Sequence, residues 1–508
     1  MKLLDYEFMR QATPEAIKKQ LAQGADVNAQ DKDGRSPLHR AATLNENSAV
    51  IKALIAAGAD VNARAKNSKM PLHEAARANR NPEVVKVLIQ AGADVNALTK
   101  ENKSPLHFAA WGNENPAVVT ILVEMGADVK IRNKDGRSPL HRGVSRRRRQ
   151  NLGVVEALLK AGADVKARDK LGGMMPLHYA AICNKETSVI KALVAAGADV
   201  NARDWLGFSP LHYAARYNNN PKVIKELVAV GADITVRNKK GKSPLDWAAL
   251  WTENPEVIKE LIQAGADVEE WDDEDVGESP LHKAAYRNDN PAVIKALIQA
   301  GANVEKRDGE WEKSPLDWAA HNEEPEVLEA LIEAGADVNA PIEDWWSPLH
   351  FAAQNENPTF VKLLLKAGAE VNAQGEDGSS PLHMAARYEN LDIAKLLLRA
   401  GADVDAQDEF DKSPLHDAAQ RNTNPAVVIT LIKAGADVDA RNDDGASPLH
   451  IAAEHNKNSD IVLVLLGAKA DTHARTVQGK TAFDLIKEND ALKNTQAYWK
   501  LHDLSYKK

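Results

Sequence analysis

The amino-acid sequence predicts an all-α repeat solenoid, a stack of short helix pairs that share one continuous core. Its Pro-Leu pairs recur along almost the whole chain at steps that are mostly 33 or 34 residues. A repeat at a fixed step of this size is typical of stacked repeat folds. Each unit also carries two helix-start signals and one glycine stop signal. Including the terminal segments, we expect about 14 to 15 units over the 508 residues.

The first helix of each unit begins at a Ser-Pro-Leu sequence. Ser36 is a good N-terminal cap, and Pro37 suits the first helical position, where its missing N–H is not needed. Leu38, Ala41 and Ala42 then fall on one face at helical spacing. We expect this face to contact the neighbouring units, which leaves the opposite face free.

The second helix has its own start and stop. Asn81 and Pro82 repeat the signal of a cap followed by proline, and the apolar residues within 82–90 lie on one helical face. Gly92 ends this helix, and short extended and turn segments follow. Because a helix pair this short cannot bury its apolar face alone, we expect stability to come mainly from contacts between neighbouring units.

The segments SPLHRAA, VIKALIAAGADVNA and DKDG recur in similar forms over almost the whole chain. On these residues the sequence resembles the ankyrin repeat family. One departure is regular, since the link NENP between the helices is one residue longer than usual. The resemblance implies an ankyrin-type stack in which each unit has two antiparallel helices and a projecting β-hairpin. It also implies macromolecular recognition, without naming a partner.

Three segments are expected along the chain. Residues 1–31 are predicted to form an N-terminal capping half-repeat, and residues 32–475 the repeat array. Residues 476–508 are predicted to form a C-terminal repeat and a capping helix. The caps need polar outer faces, because a terminal unit has a neighbour on one side only.

Composition favours an intracellular protein. The single cysteine, Cys183, excludes an intramolecular disulfide and fits a reducing compartment. No apolar run approaches the roughly 20 residues that a bilayer-spanning helix needs, and the N-terminal sequence has no signal-peptide core. We therefore expect a cytoplasmic monomer, and translocation into a host cell stays open.

The histidines raise the question of catalysis or metal binding, since eleven of the 15 lie in Pro-Leu-His sequences. Stacked helices lie about 8–10 Å apart, whereas zinc ligands must lie within about 2.3 Å of one ion. One histidine per unit is therefore expected to hydrogen-bond backbone groups between units, and Asp246 and Asp317 replace it in two units. The acidic run at 271–278 lacks the EF-hand ligand spacing. With no phosphate-binding glycine loop and no nucleophile elbow, we expect no enzyme, no metal and no cofactor.

The free face of the first helices is the expected binding surface. Arg40, Thr43 and Leu44 define it in the first full unit, and in the resembled family the matching positions line a concave partner-binding surface. Units from Tyr179 to Phe351 each place at least one aromatic ring there, and eight of the ten tryptophans lie between residues 205 and 346. Aromatic and arginine side chains are common interface hot spots. The alternative is that these rings pack between neighbouring units.

The candidate partner-binding residues are Tyr179, Phe208, Tyr213, Tyr217, Trp247, Trp251, Tyr286, Trp318, Trp346 and Phe351, rimmed by Glu270 and Asp272.

Charge is distributed unevenly along the chain. Residues 1–250 carry 39 Lys and Arg against 25 Asp and Glu, whereas residues 251–450 carry 16 against 41. Such a field steers an oppositely charged partner and improves association rate and specificity. Since the aromatic positions extend into the acidic half, we expect a partner protein with a cationic or amphipathic surface. Its Lys or Arg groups could lie over tryptophan faces.

Four arginines follow one another at positions 146–149. Arg146 is expected on the free face of its helix, and Arg147, Arg148 and Arg149 extend the link to the second helix by about two residues. Three interpretations stay open, namely a solvated loop, a contact for an acidic protein patch and a phosphate or nucleic-acid contact. In the same unit, Gly143 and Val144 replace the usual Ala-Ala, so we expect altered local packing.

These observations predict a non-enzymatic protein–protein interaction scaffold that binds a partner protein or peptide on its concave aromatic and acidic surface. Two alternatives stay open. Long arrays of this kind look like those of bacteria and intracellular parasites, which would allow a host-directed effector or a toxin-neutralising protein. The basic N-terminal half could instead bind phosphate-rich or nucleic-acid ligands, although no basic groove with interleaved aromatic residues accompanies the arginines.

Overall fold

The computed structural model describes residues 2–145, 152–183, 186–271, 277–309, 312–322, 324–340 and 346–506. These residues form helices joined by turns, and no strand occurs among them. The chain divides into two compact units, Met1–Asp267 and Val268–Lys508. We call them the N-terminal unit and the C-terminal unit.

The N-terminal unit begins with a 3₁₀ turn at Lys2–Leu4 and continues with α1 to α16, which span Tyr6–Gln11, Pro14–Ala22, Pro37–Leu44, Ser48–Ala56, Pro71–Ala78, Pro82–Gln90, Pro105–Gly112, Pro116–Glu124, Pro139–Val144, Leu152–Lys160, Pro176–Cys183, Thr187–Ala195, Pro210–Tyr217, Pro221–Ala229, Pro244–Trp251 and Pro255–Gln263.

The C-terminal unit contains α17 to α30, which span Pro280–Arg287, Pro291–Gln299, Pro315–Ala319, Pro325–Glu333, Pro348–Gln354, Pro358–Lys366, Pro381–Arg387, Leu391–Arg399, Pro414–Arg421, Ala426–Lys433, Pro448–His455, Ser459–Gly467, Ala482–Ile486 and Gln496–Ser505.

The helices pack in two layers within each unit. Odd-numbered helices, the first helices of the repeats, pack on odd-numbered neighbours, and even-numbered second helices pack on even-numbered neighbours. Leu38, Ala41 and Ala42 are completely buried, as the helical spacing predicts. The all-α repeat solenoid is therefore confirmed. No described helix is long and apolar enough to cross a membrane.

The Pro-Leu histidines link successive repeats, as predicted. The Ser36 N–H donates to His39 Nδ1 at 3.1 Å, so Nδ1 is the acceptor and the ring carries its proton on Nε2. Nε2 then donates to the Lys69 carbonyl of the next repeat at 3.0 Å. The other ten Pro-Leu histidines also have Nε2 within 3.2 Å of a downstream carbonyl oxygen. Since the two nitrogens of each ring are occupied in this way, these histidines are structural.

A buried asparagine at the end of many first helices forms a second link between repeats. Asn79 Nδ2 donates to the Ala42 carbonyl at 3.0 Å and to the Asn45 carbonyl at 2.9 Å. Helix C-termini leave carbonyl groups without intrahelical partners, and the asparagine of the next repeat supplies donors for them. Asn113, Asn322, Asn456 and Asn489 make the same pair of bonds to their preceding repeats.

The tips between repeats are turns rather than β-hairpins. The Gly34 N–H donates to the Asp31 carbonyl at 2.9 Å, and the Asp31 N–H donates to the Arg35 carbonyl at 3.0 Å. Gly34 has a φ of +76°, which glycine adopts without steric cost. The Lys66 N–H of the next tip donates to the Asp33 carbonyl at 3.0 Å. The family resemblance implied hairpins here, and the described tips have hydrogen-bonded turns in their place.

The ends of the chain also contain helix pairs. The N-terminal segment holds α1 and α2, and Asn45 Nδ2 donates to the Met9 and Ala12 carbonyls at the end of α1. Helix α1 lacks the proline start of most other first helices, and the Asp5 carboxylate caps it by accepting the Phe8 N–H at 2.8 Å. At the other end, the rings of Phe483 and Tyr498 lie 5.5 Å apart and hold α30 against α29.

Helix α9 is shorter than its neighbours. It ends at Val144, whereas α7 runs for two more residues, as far as Gly112. Val144 is fully buried, and a Cβ at Gly143 would lie 3.4 Å from Leu158, an ordinary contact distance, so the local packing does not require a glycine there. The expected contacts of Arg146, Arg147, Arg148 and Arg149 lie outside the described residues.

Candidate functional site

The free face of the first helices contacts the tips at a fixed position. The fourth residue of a first helix lies nine or ten residues after a tip aspartate, and in four repeats its side chain donates a hydrogen bond to that carboxylate. The four pairs are Arg40 with Asp31 at 2.6 Å, Tyr179 with Asp169 at 2.5 Å, Tyr213 with Asp204 at 2.7 Å and Trp318 with Asp308 at 2.8 Å. The tip therefore holds the ring or guanidinium in place on the helix surface.

Tyr179 is buried by these contacts. Its side chain is 8 % exposed, the Arg137 guanidinium lies 5.0 Å from its ring centroid, and the ring meets His141 edge-on at 5.6 Å. Burial, followed by the hydrogen bond to Asp169, raises the pKa of Tyr179 above its ordinary value. Tyr179 thus packs between adjacent repeats rather than forming part of an open surface.

The structure brings five other candidate residues of the N-terminal unit together. We define the N-terminal cluster as Phe208, Tyr213, Tyr217, Trp247 and Trp251 together with Arg216. The Phe208 ring lies 5.4 Å from Tyr213 and 5.1 Å from Trp247, and the Tyr213 and Tyr217 rings stack at 6.3 Å. Offset and edge contacts at such distances are favourable between aromatic rings.

Arg216 occupies the centre of the N-terminal cluster. Its guanidinium carbon lies 4.7 Å from the Tyr217 and Trp247 ring centroids and 5.0 Å from Trp251. An arginine over aromatic faces is a favourable cation–π arrangement. The chain itself therefore supplies a cation at the place where the sequence suggested a partner's Lys or Arg.

The N-terminal cluster has a half-buried base and an exposed outer edge. Phe208, Tyr213 and Trp247 are half-buried, whereas Tyr217 is 44 % exposed and Trp251 is 38 % exposed. Each of the two interpretations of the sequence, packing between repeats and an open surface, thus applies to some of the rings. The base supports the packing of neighbouring repeats, and Tyr217 and Trp251 are open to solvent.

One repeat of the N-terminal cluster lacks the tip carboxylate. Asn238 stands at the tip position where the preceding repeat has Asp204, and its Oδ1 accepts the Lys240 and Lys242 N–H groups. Asn238 Nδ2 and Trp247 Nε1 are both buried donors without a hydrogen-bond acceptor. Buried polar groups are nearly always paired, so a carboxylate at this tip position would supply an acceptor for the indole.

The C-terminal unit contains a second cluster of rings, which we call the C-terminal cluster. Its members are Tyr286, Trp318, His321, Trp346 and Phe351. Tyr286 meets Trp318 at 5.0 Å, His321 lies 5.4 Å from Phe351, and Trp346 lies 6.0 Å from Phe351. Tyr286 is 45 % exposed, while Trp318, Trp346 and Phe351 are half-buried.

Lysines lie over the rings of the C-terminal unit. Lys313 Nζ is 4.8 Å from the Trp318 centroid and 5.4 Å from that of Phe351. Lys306 Nζ lies 4.5 Å from the Trp271 ring and pairs with Glu269 at 2.8 Å. The cation positions over these rings are again filled by the chain's own residues.

Of the two acidic candidates, Glu270 lies within the described residues and Asp272 lies outside them. Glu270 is half-buried and precedes the exposed Trp271. The acidic run at 271–278 can therefore be placed only at its two ends.

The tips add exposed apolar residues that the sequence analysis did not single out. Leu171 is 66 % exposed, Trp205 53 % and Leu206 61 %. The two tips are adjacent, because the Trp205 N–H donates to the Gly172 carbonyl at 2.9 Å. The sequence did carry a signal for these residues. The corresponding positions are Lys or Asp in the tips around Gly34 and Gly136, so apolar residues replace charged ones in these two tips.

The histidines and carboxylates of the described residues were the candidates for metal binding. No group of three His, Cys, Asp or Glu side chains among these described residues is placed to hold a metal ion. Burial lowers the pKa of every Pro-Leu histidine, to about 4 for His73, His107, His141, His212 and His282. These imidazoles are neutral at physiological pH, and their ring nitrogens already take part in structural hydrogen bonds.

Comparison with known families agrees with this architecture. The sequence model described as "Ankyrin repeats (3 copies)" matches residues 8–99, 75–169, 148–238, 177–272, 245–342, 341–408 and 400–476. Together these matches cover nearly the whole chain. A comparison with curated proteins finds no significant match. Repeats of this family form protein–protein interaction modules and are generally non-enzymatic.

Proposed function

Because the chain belongs to the ankyrin repeat family, we propose that it is a non-enzymatic scaffold that binds a partner protein through the free face of its first helices and the adjoining tips. The main contact is the exposed edge of the N-terminal cluster. Tyr286 of the C-terminal cluster is a second contact.

The observation that carries this proposal is the arrangement of Arg216 among Tyr217, Trp247 and Trp251. Interface hot spots are enriched in Trp, Tyr and Arg, and they lie on a well-packed support. Here the half-buried rings form the support, and Tyr217 and Trp251 present their exposed area above it. Because Arg216 is held by three rings, little side-chain entropy remains to be lost on binding.

The chemistry of the surface favours an amphipathic partner. Apolar side chains of the partner would cover Tyr217, Trp251 and the exposed tip residues Trp205 and Leu206. The acidic balance of residues 251–450 favours basic groups elsewhere on the same partner, since opposite charge speeds and orients association. These basic groups of the partner would not lie over the ring faces that Arg216 and Lys313 already cover.

Alanine substitution at the exposed edge tests the proposal. We expect Tyr217→Ala with Trp251→Ala to abolish capture of the partner that the unaltered chain retains from an extract. The matched control is Tyr388→Ala, which removes a ring that is 52 % exposed and belongs to neither cluster. Thermal unfolding of each variant separates loss of binding from loss of folding. Equal capture by all three proteins would overturn the proposal.

The terminal segments complete the proposed scaffold as caps. We propose that residues 1–31 and 476–508 close the two ends of the array. The packing of α1 beneath Asn45 and of α30 on Phe483 supports this role. Removal of either segment is expected to lower the unfolding temperature of the adjoining repeats and to expose their apolar faces.

A further inference from the structure

A cavity lies on the free face of the N-terminal unit, away from the N-terminal cluster. Its volume is about 190 Å³, and its lining consists of Lys103, His107, Phe108, Trp111 and Arg142. We call it the Arg142 pocket. It combines two cationic side chains with two aromatic rings, and none of the four was among the candidate partner-binding residues.

Arg142 lacks the tip carboxylate that the corresponding side chain contacts in four other repeats. It is the fourth residue of α9, as Arg40 is the fourth residue of α3, and Arg40 donates to the Asp31 carboxylate at 2.6 Å. The residue that corresponds to Asp31 is Asn133, again nine residues earlier. Its Oδ1 accepts the Arg137 N–H at 2.9 Å, just as Asp31 Oδ1 accepts the Arg35 N–H. The tip geometry is thus retained, and the carboxylate is missing.

The Arg142 guanidinium is therefore available to bind an anion. It is half-buried, and it makes no side-chain hydrogen bond or ion pair with the described residues. Guanidinium groups bind carboxylates and phosphates through two parallel hydrogen bonds. Burial lowers the pKa of Arg142, and the nearby charge of Arg137 adds to this effect, while the more weakly acting carboxylates of Asp135 and Glu101 oppose it.

Lys103 is the second cation that lines the pocket. Among the described residues its ion pair is with Glu101, at 3.0 Å, whose side chain is 66 % exposed. Lys69 Nζ lies 5.2 Å from the centroid of the Phe108 ring, but its ion pair with Glu74 at 3.5 Å balances its charge. His107 is neutral, because burial lowers its pKa to about 4. Two lining cations favour a doubly charged anion, and a phosphate group carries a charge of about −1.5 to −2 at pH 7.

The size and walls of the pocket indicate what carries the phosphate. A cavity of about 150 Å³ accommodates a benzene ring, so about 190 Å³ leaves room for one ring and part of a small anionic group. Phe108 and Trp111 provide flat apolar walls, and Trp111 is 48 % exposed. Aromatic rings stack or meet edge-on at centroid distances of about 4.5–7 Å.

We propose that the Arg142 pocket binds an aryl phosphate. The ring lies against Phe108 and Trp111, and the phosphate accepts hydrogen bonds from Arg142 and Lys103. The ligand is either a phosphorylated tyrosine side chain of a protein or a free aromatic phosphate. The pocket is independent of the N-terminal cluster, so its failure would leave the proposed scaffold function untouched.

Titration calorimetry with phenyl phosphate tests the pocket directly. We expect phenyl phosphate to bind at least ten times more tightly than inorganic phosphate or benzyl alcohol, because each of these lacks one half of the ligand. The decisive variant is Asn133→Asp, which leaves every lining residue in place and supplies Arg142 with the carboxylate that Arg40 already has. It is expected to weaken phenyl phosphate binding at least tenfold, as is Arg142→Gln.

Arg40→Gln is the matched control, because Arg40 is already paired with Asp31, and it is expected to leave phenyl phosphate affinity unchanged. Thermal unfolding of each variant verifies folding. Unchanged binding by Asn133→Asp, or equal affinity for phenyl phosphate and inorganic phosphate, would overturn the proposal. A short phosphotyrosine peptide that binds more tightly than phenyl phosphate indicates a protein-borne ligand, and equal affinities indicate a free one. Both results uphold the aryl phosphate chemistry.

Discussion

The Tyr213 hydroxyl donates a hydrogen bond of 2.7 Å to the Asp204 carboxylate, and this contact fixes the base of the N-terminal cluster. In the next repeat the corresponding residues are Trp247 and Asn238, whose Nε1 and Nδ2 donors are both buried without an acceptor among the described residues. Trp318 shows that an indole can use the same arrangement, because its Nε1 donates to Asp308 at 2.8 Å. Whether Asp or Asn stands at this tip position thus determines whether the side chain on the helix has a hydrogen-bond acceptor.

Asn238→Asp is therefore expected to stabilise the protein. The new carboxylate would accept the Trp247 Nε1–H, and a hydrogen bond of this kind contributes about 0.5–1.5 kcal/mol. Asp204→Asn, the reverse change one repeat earlier, is expected to destabilise by a similar or larger amount, because it removes the acceptor of the Tyr213 hydroxyl. Denaturant unfolding of both variants provides the measurement. A loss of stability in Asn238→Asp would show that Trp247 does not need this acceptor.

The buried asparagines give a second pair of contrasting substitutions. Asn79→Ala removes the donors to the Ala42 and Asn45 carbonyls and the acceptor for the Asn81 N–H. We expect it to cost about 1–3 kcal/mol, the penalty for leaving buried polar groups unpaired. Asn422 is also fully buried, but neither of its amide atoms has a hydrogen-bond partner. Asn422→Ala is expected to cost clearly less, and equal losses of unfolding free energy would contradict this account of the links.

Acidification is expected to destabilise the repeats through their histidines. Burial lowers the folded-state pKa of His73, His107 and His212 to about 4, whereas an unfolded histidine has a pKa of about 6.5. The unfolded chain takes up protons first, so this contribution to stability is complete above pH 6.5 and is lost as the pH falls through about 4. Unfolding temperatures measured from pH 7.5 to pH 4.5 should decrease steadily. A constant value between pH 7 and pH 5 would contradict neutral buried imidazoles.

Asp317 is expected to act in the opposite direction. It replaces the histidine of its repeat, and burial raises its pKa from 3.8 to about 6, despite the hydrogen bonds from Ser314. Its stabilising contribution is complete below pH 3.8 and is lost as the pH rises through about 6. Asp317→Asn keeps an acceptor for the Ser314 N–H and stays neutral. It should raise the unfolding temperature at pH 7.5, with a smaller difference at pH 5.

Asp484 provides the control for this prediction, because it occupies the same capping position in α29. The Lys487 ammonium, with Thr481, lowers the pKa of Asp484 to about 2, so its charged form stabilises the fold above pH 3.8. Asp484→Asn should therefore lower the unfolding temperature at pH 7.5. If both asparagine variants changed the unfolding temperature in the same direction, burial would not explain the behaviour of Asp317.

Local chemistry made much of the fold predictable from sequence. Ser36 and Pro37 indicate a helix start, because a serine side chain caps a helix N-terminus and proline suits the first helical position. A bridging role could be assigned to His39 because a histidine recurs at the same helix position in most units. The asparagine links were missed, although Asn45, Asn79 and Asn113 recur at a fixed step. In a polar link such residues look like ordinary loop residues. Only the structure shows the carbonyls beneath them.

The candidate site was less predictable, because exposure depends on residues that are distant in the sequence. Tyr179 has the same helical position as Tyr213, but Arg137, from an earlier tip, lies over its ring. The position of Arg216 over three rings likewise depends on the stacking of α13 against α15. Helical spacing placed these side chains on the free face, and it could not determine how deeply each one is covered.

The most direct measurement of the central claim is site-specific photocrosslinking at the exposed edge of the N-terminal cluster. A photoreactive phenylalanine analogue replaces Trp251 in one protein and Tyr388 in another, and partner adducts are identified after irradiation in an extract. We expect a discrete protein adduct at position 251, a much lower yield of the same adduct at position 388, and unchanged thermal unfolding. Absence of an adduct at position 251, or equal yields at the two positions, would contradict the claim that this edge binds a partner.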